Sequence, residues 1–264
     1  MNMNLVGKWG NQYGSVLEIH DCDADGSFRG IYRSDTGASG IYPMNGYAHG
    51  GTGASQPISL SVFWRPTDSQ VFDPSWHWVS VMTGTLFLDE PITGQQQLLH
   101  GLVASSLHEA VDIYGPGIYT ESLTFSPLSE RLPGGESFAF GTAENKVSVE
   151  WLNACPDSPF RALSYTYDDA GLVTGALTQQ DLTSVRVQGF TDPNPRERLQ
   201  SIALTALVTD RNGRACAIGM GGFIDRQSNT AKIERFSSSA VSYANRYSGV
   251  AVTHERFAVT SSLL

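Results

Sequence analysis

The feature that most limits the folds open to this chain is that it repeats itself. Trp9-Gly10-Asn11 returns as Trp151-Leu152-Asn153, and Asp25-Gly26-Ser27-Phe28-Arg29-Gly30 as Ala170-Gly171-Leu172-Val173-Thr174-Gly175. Asn45-Gly46-Tyr47 is echoed by Gln188-Gly189-Phe190, Ile58–Trp64 by Ile202–Val208, and Phe87-Leu88-Asp89 by Phe223-Ile224-Asp225. Single pairs carry little weight. Five in the same order, with gaps that differ by a few residues, indicate an internal duplication and so two similar domains in tandem.

The local pattern says what kind of domain. Strand-like runs follow one another at Val16–His20, Ser27–Arg33, Gly40–Ala48, Ile58–Trp64, Trp76–Leu88, Gln97–Ser105 and Tyr119–Phe125. In Ile58–Trp64 the apolar Ile58, Leu60, Val62 and Trp64 alternate with Ser59, Ser61 and Phe63, the period of a sheet with unlike faces. Asp21-Cys22-Asp23-Ala24-Asp25-Gly26 is an acidic turn between two such runs, a hairpin signal. No segment sustains a helical period, although a short turn is expected around His108–Asp112. Many short strands at this spacing predict a sandwich or barrel. Ser126–Asn145, with Pro127, Pro133, Gly134 and Gly135, has the composition of a linker. The expected organisation is a domain over 1–126, a linker over 127–144 and a second domain over 145–264.

Composition narrows the function classes. The 17 basic and 26 acidic residues give a net charge of −9, which disfavours nucleic acid as a partner. Cys22, Cys155 and Cys216 are too few and too far apart for a disulfide framework or zinc site. No apolar run approaches the ~20 residues needed to span a bilayer. The N-terminus lacks the basic-then-apolar pattern of a signal peptide, so a cytoplasmic location or release by a non-classical route is expected. His108-Glu109 and His254-Glu255 pair an acid with a base. Neighbours on a strand face opposite ways, however, and no nucleophile elbow, P-loop or dinucleotide fingerprint is present. An enzyme is not expected.

The chemistry-bearing stretch is Gly7–Tyr32. On an extended chain Asn11, Tyr13 and Ser15 share a face, a polar row able to converge on one ligand atom. The motif G-x-W-x-N-x-x-G-S, as Gly7, Trp9, Asn11, Gly14 and Ser15, is followed by D-G-x-x-x-G-x-Y-x-S, as Asp25, Gly26, Gly30, Tyr32 and Ser34. Together they resemble the avidin/streptavidin family of the calycin superfamily. The resemblance is specific over residues 5–65 and loose from 66 to 125.

What the resemblance implies is all-β: two tandem eight-stranded antiparallel up-and-down barrels, the first open to a small ligand. Asn11, Ser15 and Tyr32 match the three donors that hold the ureido oxygen of biotin, and Ser34 a hydroxyl that accepts a ureido N–H. Tyr13 takes a contact position, Thr36, Gly37 and Ala38 fall on the loop that closes over the ligand, and Trp64 matches one aromatic wall. Trp9 and Trp151 match the tryptophan that plugs one barrel end. Convergent donors in a dry pocket gain strength, each charge-polarised bond contributing on the order of 1.5–3 kcal/mol.

The departures are as informative. Val81-Met82-Thr83-Gly84 stands where the family has a second wall tryptophan, with Trp76 and Trp78 upstream read as core or inter-barrel surface. Leu102-Val103-Ala104 replaces W-L-L, and only Glu121 or Ser122 are candidates for a buried aspartate. The second repeat keeps Asn153, but Leu177 replaces the tyrosine and Val208 the tryptophan, so its ligand site is expected to be lost.

The leading expectation is a non-enzymatic binder without a cofactor. Its first barrel would take biotin or a related ureido ligand, more weakly than typical avidins, and the chain would pair into a four-barrel homodimer. The alternative is a lectin-like or toxin-like interaction protein that uses the barrels as a scaffold for a glycan or receptor protein.

Overall fold

The computed structural model describes residues 5–35, 39–50, 55–67, 77–87, 96–104, 117–129, 145–195, 198–210, 212–239 and 250–259. They form sixteen strands. The first eight are β1 (Gly7–Asn11), β2 (Val16–Cys22), β3 (Ser27–Ser34), β4 (Gly40–Ala48), β5 (Ser55–Phe63), β6 (Val79–Phe87), β7 (Gln96–Ala104) and β8 (Gly117–Pro127). The second eight are β9 (Lys146–Asn153), β10 (Phe160–Asp168), β11 (Leu172–Gln179), β12 (Ser184–Thr191), β13 (Leu199–Thr209), β14 (Ala215–Asp225), β15 (Thr230–Ser239) and β16 (Val250–Val259). Each set closes into an antiparallel barrel with neighbours in chain order, β1 meeting β8 and β9 meeting β16. Full closure leaves no free edge to template aggregation. The all-β class and the two eight-stranded barrels are those read from the sequence. The turn expected at His108–Asp112 and residues 130–144 of the expected linker lie outside the described residues.

Strand register tests the internal repeat residue by residue. Trp9 pairs with Leu17 and Leu17 with Tyr32; Trp151 pairs with Leu163 and Leu163 with Leu177. Tyr32 and Leu177 are therefore equivalent. Gly46 faces Leu60 as Gly189 faces Leu204, which aligns Ile58–Trp64 with Ile202–Val208. The fifth echo is two residues out. Leu60 pairs with Met82 and Leu204 with Met220, so Phe87 corresponds to Asp225 and Phe223 to Thr85. A slip of two preserves the face, which is why the wrong pairing read plausibly.

The alternation expected in β5 is real, but its meaning differs. Every residue of β5 is buried, because its serine face is covered by the second barrel. Phe63, Val79 and Val81 of the first barrel pack with Phe190, Ala203 and Phe236 of the second, and the Phe63 and Phe190 rings stack at 5.9 Å. Small polar groups complete the contact. Asn45 Nδ2 donates to Gly189 O at 3.4 Å, Gln188 Nε2 to Gly46 O at 2.5 Å, and Thr85 and Ser238 share a bond of 3.0 Å. Gly219 marks the closest approach. A Cβ there would stand 2.2 Å from Thr83 Oγ1 and 2.5 Å from Val81 Cγ2, which no side chain can do.

The barrels lie side by side with opposite ends together. Thr85, near the end of β6, meets Ser238, near the end of β15. His77, just before β6, meets the other end of the second barrel: its Nδ1 lies 2.6 Å from Asp192 Oδ2, and its carbonyl accepts Ser201 Oγ at 2.6 Å.

Candidate functional site

The expected ligand cradle occupies the end of the first barrel formed by the β1–β2 turn, the end of β3 and the end of β5. Asn11 closes that turn. Its Oδ1 accepts the Tyr13 N–H at 3.0 Å and the Ser15 N–H at 2.9 Å. Two backbone donors fix which amide atom is oxygen, and they leave Nδ2 as the part of Asn11 that can donate elsewhere. Ser15, Tyr32 and Ser34 are buried. Ser15 is in phase with inward Leu17, and Ser34 with inward Tyr32. Tyr13 is 52 % exposed at the turn, so its ring does not join the buried set. Thr36, Gly37 and Ala38 lie outside the described residues.

Trp64 completes the described cradle. It is buried, with its indole Nε1 donating to Ser80 Oγ at 2.6 Å and its backbone N to Trp78 O. Tyr32 meets it edge-on at 5.7 Å, and Tyr42 lies 4.9 Å away, tilted. These geometries suit the quadrupoles of aromatic rings. Tyr42 and Ser80 were missed by sequence reasoning. Tyr42 carries a signal of its own, standing two residues after Gly40 on the strand that pairs with Tyr32. Ser80 is one serine among many, and only the fold brings it to Trp64. Trp78 packs in the first-barrel core, as expected; Trp76 lies outside the described residues.

Strand register locates the carboxylate position. Ser122 is exposed, and its carbonyl accepts Gln12 Nε2; the side chain of Glu121 is outside the described residues. The inward residue at this level is Leu123, 2 % exposed. Its counterpart by register is Glu255: Asn11 pairs with Phe125 and Asn153 with Phe257. Glu255 is 2 % exposed and accepts Asn153 Nδ2 at 2.8 Å. The carboxylate thus lies in the second barrel, and the first has a leucine in its place.

That carboxylate does not make the second barrel a copy of the site. Leu177 and Val208 stand where Tyr32 and Trp64 do, and the space holds an ion pair instead. Arg235 Nη1 lies 3.3 Å from Glu255 Oε1, its Nε donates to Thr253 Oγ1 at 2.8 Å, and its guanidinium sits over the Phe160 ring at 5.1 Å. Burial pulls the Arg235 pKa down, and Glu255 opposes that pull. Asn153 and Arg235 hold Glu255 between them, its Oε1 making no hydrogen bond beside the ion pair among the described residues. His254, next in sequence to Glu255, is exposed and pairs with Glu234 on the outer face, so the adjacent acid and base point apart. Among the described residues no group of His, Cys, Asp and Glu could hold a metal ion. No helix among them is long and apolar enough to cross a membrane.

These features define an eight-stranded antiparallel barrel with a buried polar cluster beside an aromatic wall. The family model described as the avidin family matches residues 1–99, the stretch that carries the motifs. Among solved structures, Xenavidin aligns at 26 % identity over 48 % of this chain and 100 % of its own, with a TM-score of 0.38. A biotin binding protein from chicken aligns at 19 % identity over 48 % of this chain and 97 % of its own, TM-score 0.37. Apo shwanavidin aligns at 24 % identity over 49 % of this chain and 100 % of its own, TM-score 0.37. A search of curated proteins returned no match.

Proposed function

We propose that the first barrel is a non-enzymatic small-molecule binder of avidin type, with biotin or a related ureido compound as its ligand. The observation that carries this reading is the state of Asn11. Its oxygen is consumed by the turn, so its Nδ2 is the group offered at the barrel end where Ser15, Tyr32, Ser34 and Trp64 are buried. Donors held in place before binding reduce its entropic cost. The avidin-family match over residues 1–99 supports the same reading.

Affinity is set below that of a complete cradle by Leu123. In the second barrel Glu255 grips Asn153, and Leu123 cannot do the same for Asn11. Without a carboxylate to polarise it, the Asn11 amide N–H gives a bond in the neutral range of about 0.5–1.5 kcal/mol instead of the charge-assisted one. Isothermal titration with biotin tests the proposal. A saturable heat that is lost on Tyr32→Phe together with Trp64→Ala supports it. No heat, and no rise in melting temperature at about millimolar biotin, overturns it.

A further inference from the structure

The second barrel has a cavity at the opposite end from the cradle position, and we propose that it binds a small aromatic carboxylate. The cavity measures about 380 Å³, within the range of small-ligand sites. Its inward walls are Val149 and Trp151 of β9, Tyr165 and Tyr167 of β10, and Ile224 of β14. Tyr165 and Tyr167 lie 6.3 Å apart, tilted. That is a lining for a flat apolar body.

The corresponding end of the first barrel is closed by its own chain. Gly7 has φ +149°, a conformation that L side chains rarely adopt, and the turn it permits buries Leu5 in the core. Leu5 O accepts the Trp9 indole N–H at 3.0 Å. Val149 takes the place of Gly7 in the second repeat. The chain there runs on as a strand, paired out to Lys146 opposite Asp168, and Val147 is 48 % exposed. Trp151 is left 97 % buried with no acceptor for its Nε1. The indole N–H that Leu5 O caps in the first barrel thus has no counterpart acceptor among the described residues of the second.

Two further groups set the ligand's polarity. Gln200 has spent its Nε2 on Thr191 Oγ1 at 3.1 Å and Asp192 O at 2.7 Å. At the mouth stands Arg226, exposed, with Nη1 on Pro195 O at 3.2 Å. Glu150, exposed on β9, is the acidic residue of the lining. A ring seated on the tyrosines places a carboxylate toward Arg226.

The test uses the full chain with phenylacetate and its neutral counterpart phenylacetamide, followed by ligand-observed NMR and titration calorimetry. The expected results are saturable phenylacetate binding, an affinity loss of about tenfold on Arg226→Gln for the acid but not for the amide, and loss of both on Val149→Phe. Arg29→Gln, at an exposed arginine of the first barrel, leaves binding unchanged. Arg226 is exposed, so its variant reads out even where Val149→Phe does not fold. Absence of saturation at about 10 mM phenylacetate, indifference to Arg226→Gln, or an equal loss on Arg29→Gln overturns the proposal.

Discussion

Docking of the two barrels through Phe63 and Phe190 can be measured as an interaction energy. The rings are 2 % and 1 % exposed and stack at 5.9 Å with an interplanar angle of 24°. Removing either as Phe63→Ala or Phe190→Ala deletes a buried ring and leaves a void, at about 3–5 kcal/mol. The stack itself accounts for about 0.5–1.5 kcal/mol. Phe63→Ala with Phe190→Ala empties one shared space, so the double variant should cost about 1 kcal/mol less than the two singles combined. The assay is equilibrium urea unfolding followed by circular dichroism and tryptophan fluorescence. Four of the five tryptophans precede β8, so fluorescence reports mainly the first barrel and circular dichroism reports both. The wild type should give coincident curves and the double variant separated ones. Single losses that add to within about 0.3–0.5 kcal/mol, with coincident curves throughout, would refute a docked interface.

Other consequences are open to direct measurement. Glu255→Ala leaves Arg235 buried without its partner and should destabilise the chain by about 3–5 kcal/mol, whereas Glu255→Leu with Arg235→Met should restore most of the loss; urea midpoints decide this. Leu123→Glu should grip Asn11 as Glu255 grips Asn153 and tighten biotin binding by calorimetry, at a stability cost from burying a carboxylate. The turn carboxylates are held below the usual range: Asp25 by the Ser27 hydroxyl and N–H, Asp181 by the Thr183 hydroxyl, Asp210 by the Arg214 N–H. Their folded pKa lies below the unfolded one, so their contribution is full above about pH 4 and fades as pH falls through the folded values. Asn at all three positions should flatten the acid limb of a melting-temperature profile. Cys22 is pushed up to about 11 by burial and by Asp23 and Asp25, so alkylation of this thiol at pH 8 should be slow beside that of a free model thiol.

What the sequence revealed and what it hid follow the range of the interactions. The barrels were legible because strand alternation and Asp-rich turns are local, and because register within a hairpin follows from the turn. Asn11, Tyr13 and Ser15 were read as one face of an extended strand, whereas the chain turns between β1 and β2 and Asn11 Oδ1 accepts the Tyr13 and Ser15 N–H groups there. Ser80 was not legible, since it meets Trp64 only once β5 and β6 pair. Leu123 and Glu255 were hidden for the same reason: each is placed by the last strand closing onto the first. The serines of β5 were read only as the second of two unlike faces, because a sequence does not distinguish water from a second polar surface. Their burial against the other barrel explains why they are small.

The two barrels meet through unlike partners: His77 against Asp192 and Ser201 at one end, Thr85 against Ser238 at the other, Val81 against Gly219 between. In a pair of identical subunits, any change at such a contact occurs twice, on both sides of the axis at once. Here each change occurs once. Gly219 can shrink to admit Val81, the residue at its own equivalent position, which two identical surfaces could not do. Freed from that constraint, one half can keep a ligand cradle while the other fills the same space with Arg235 and Glu255.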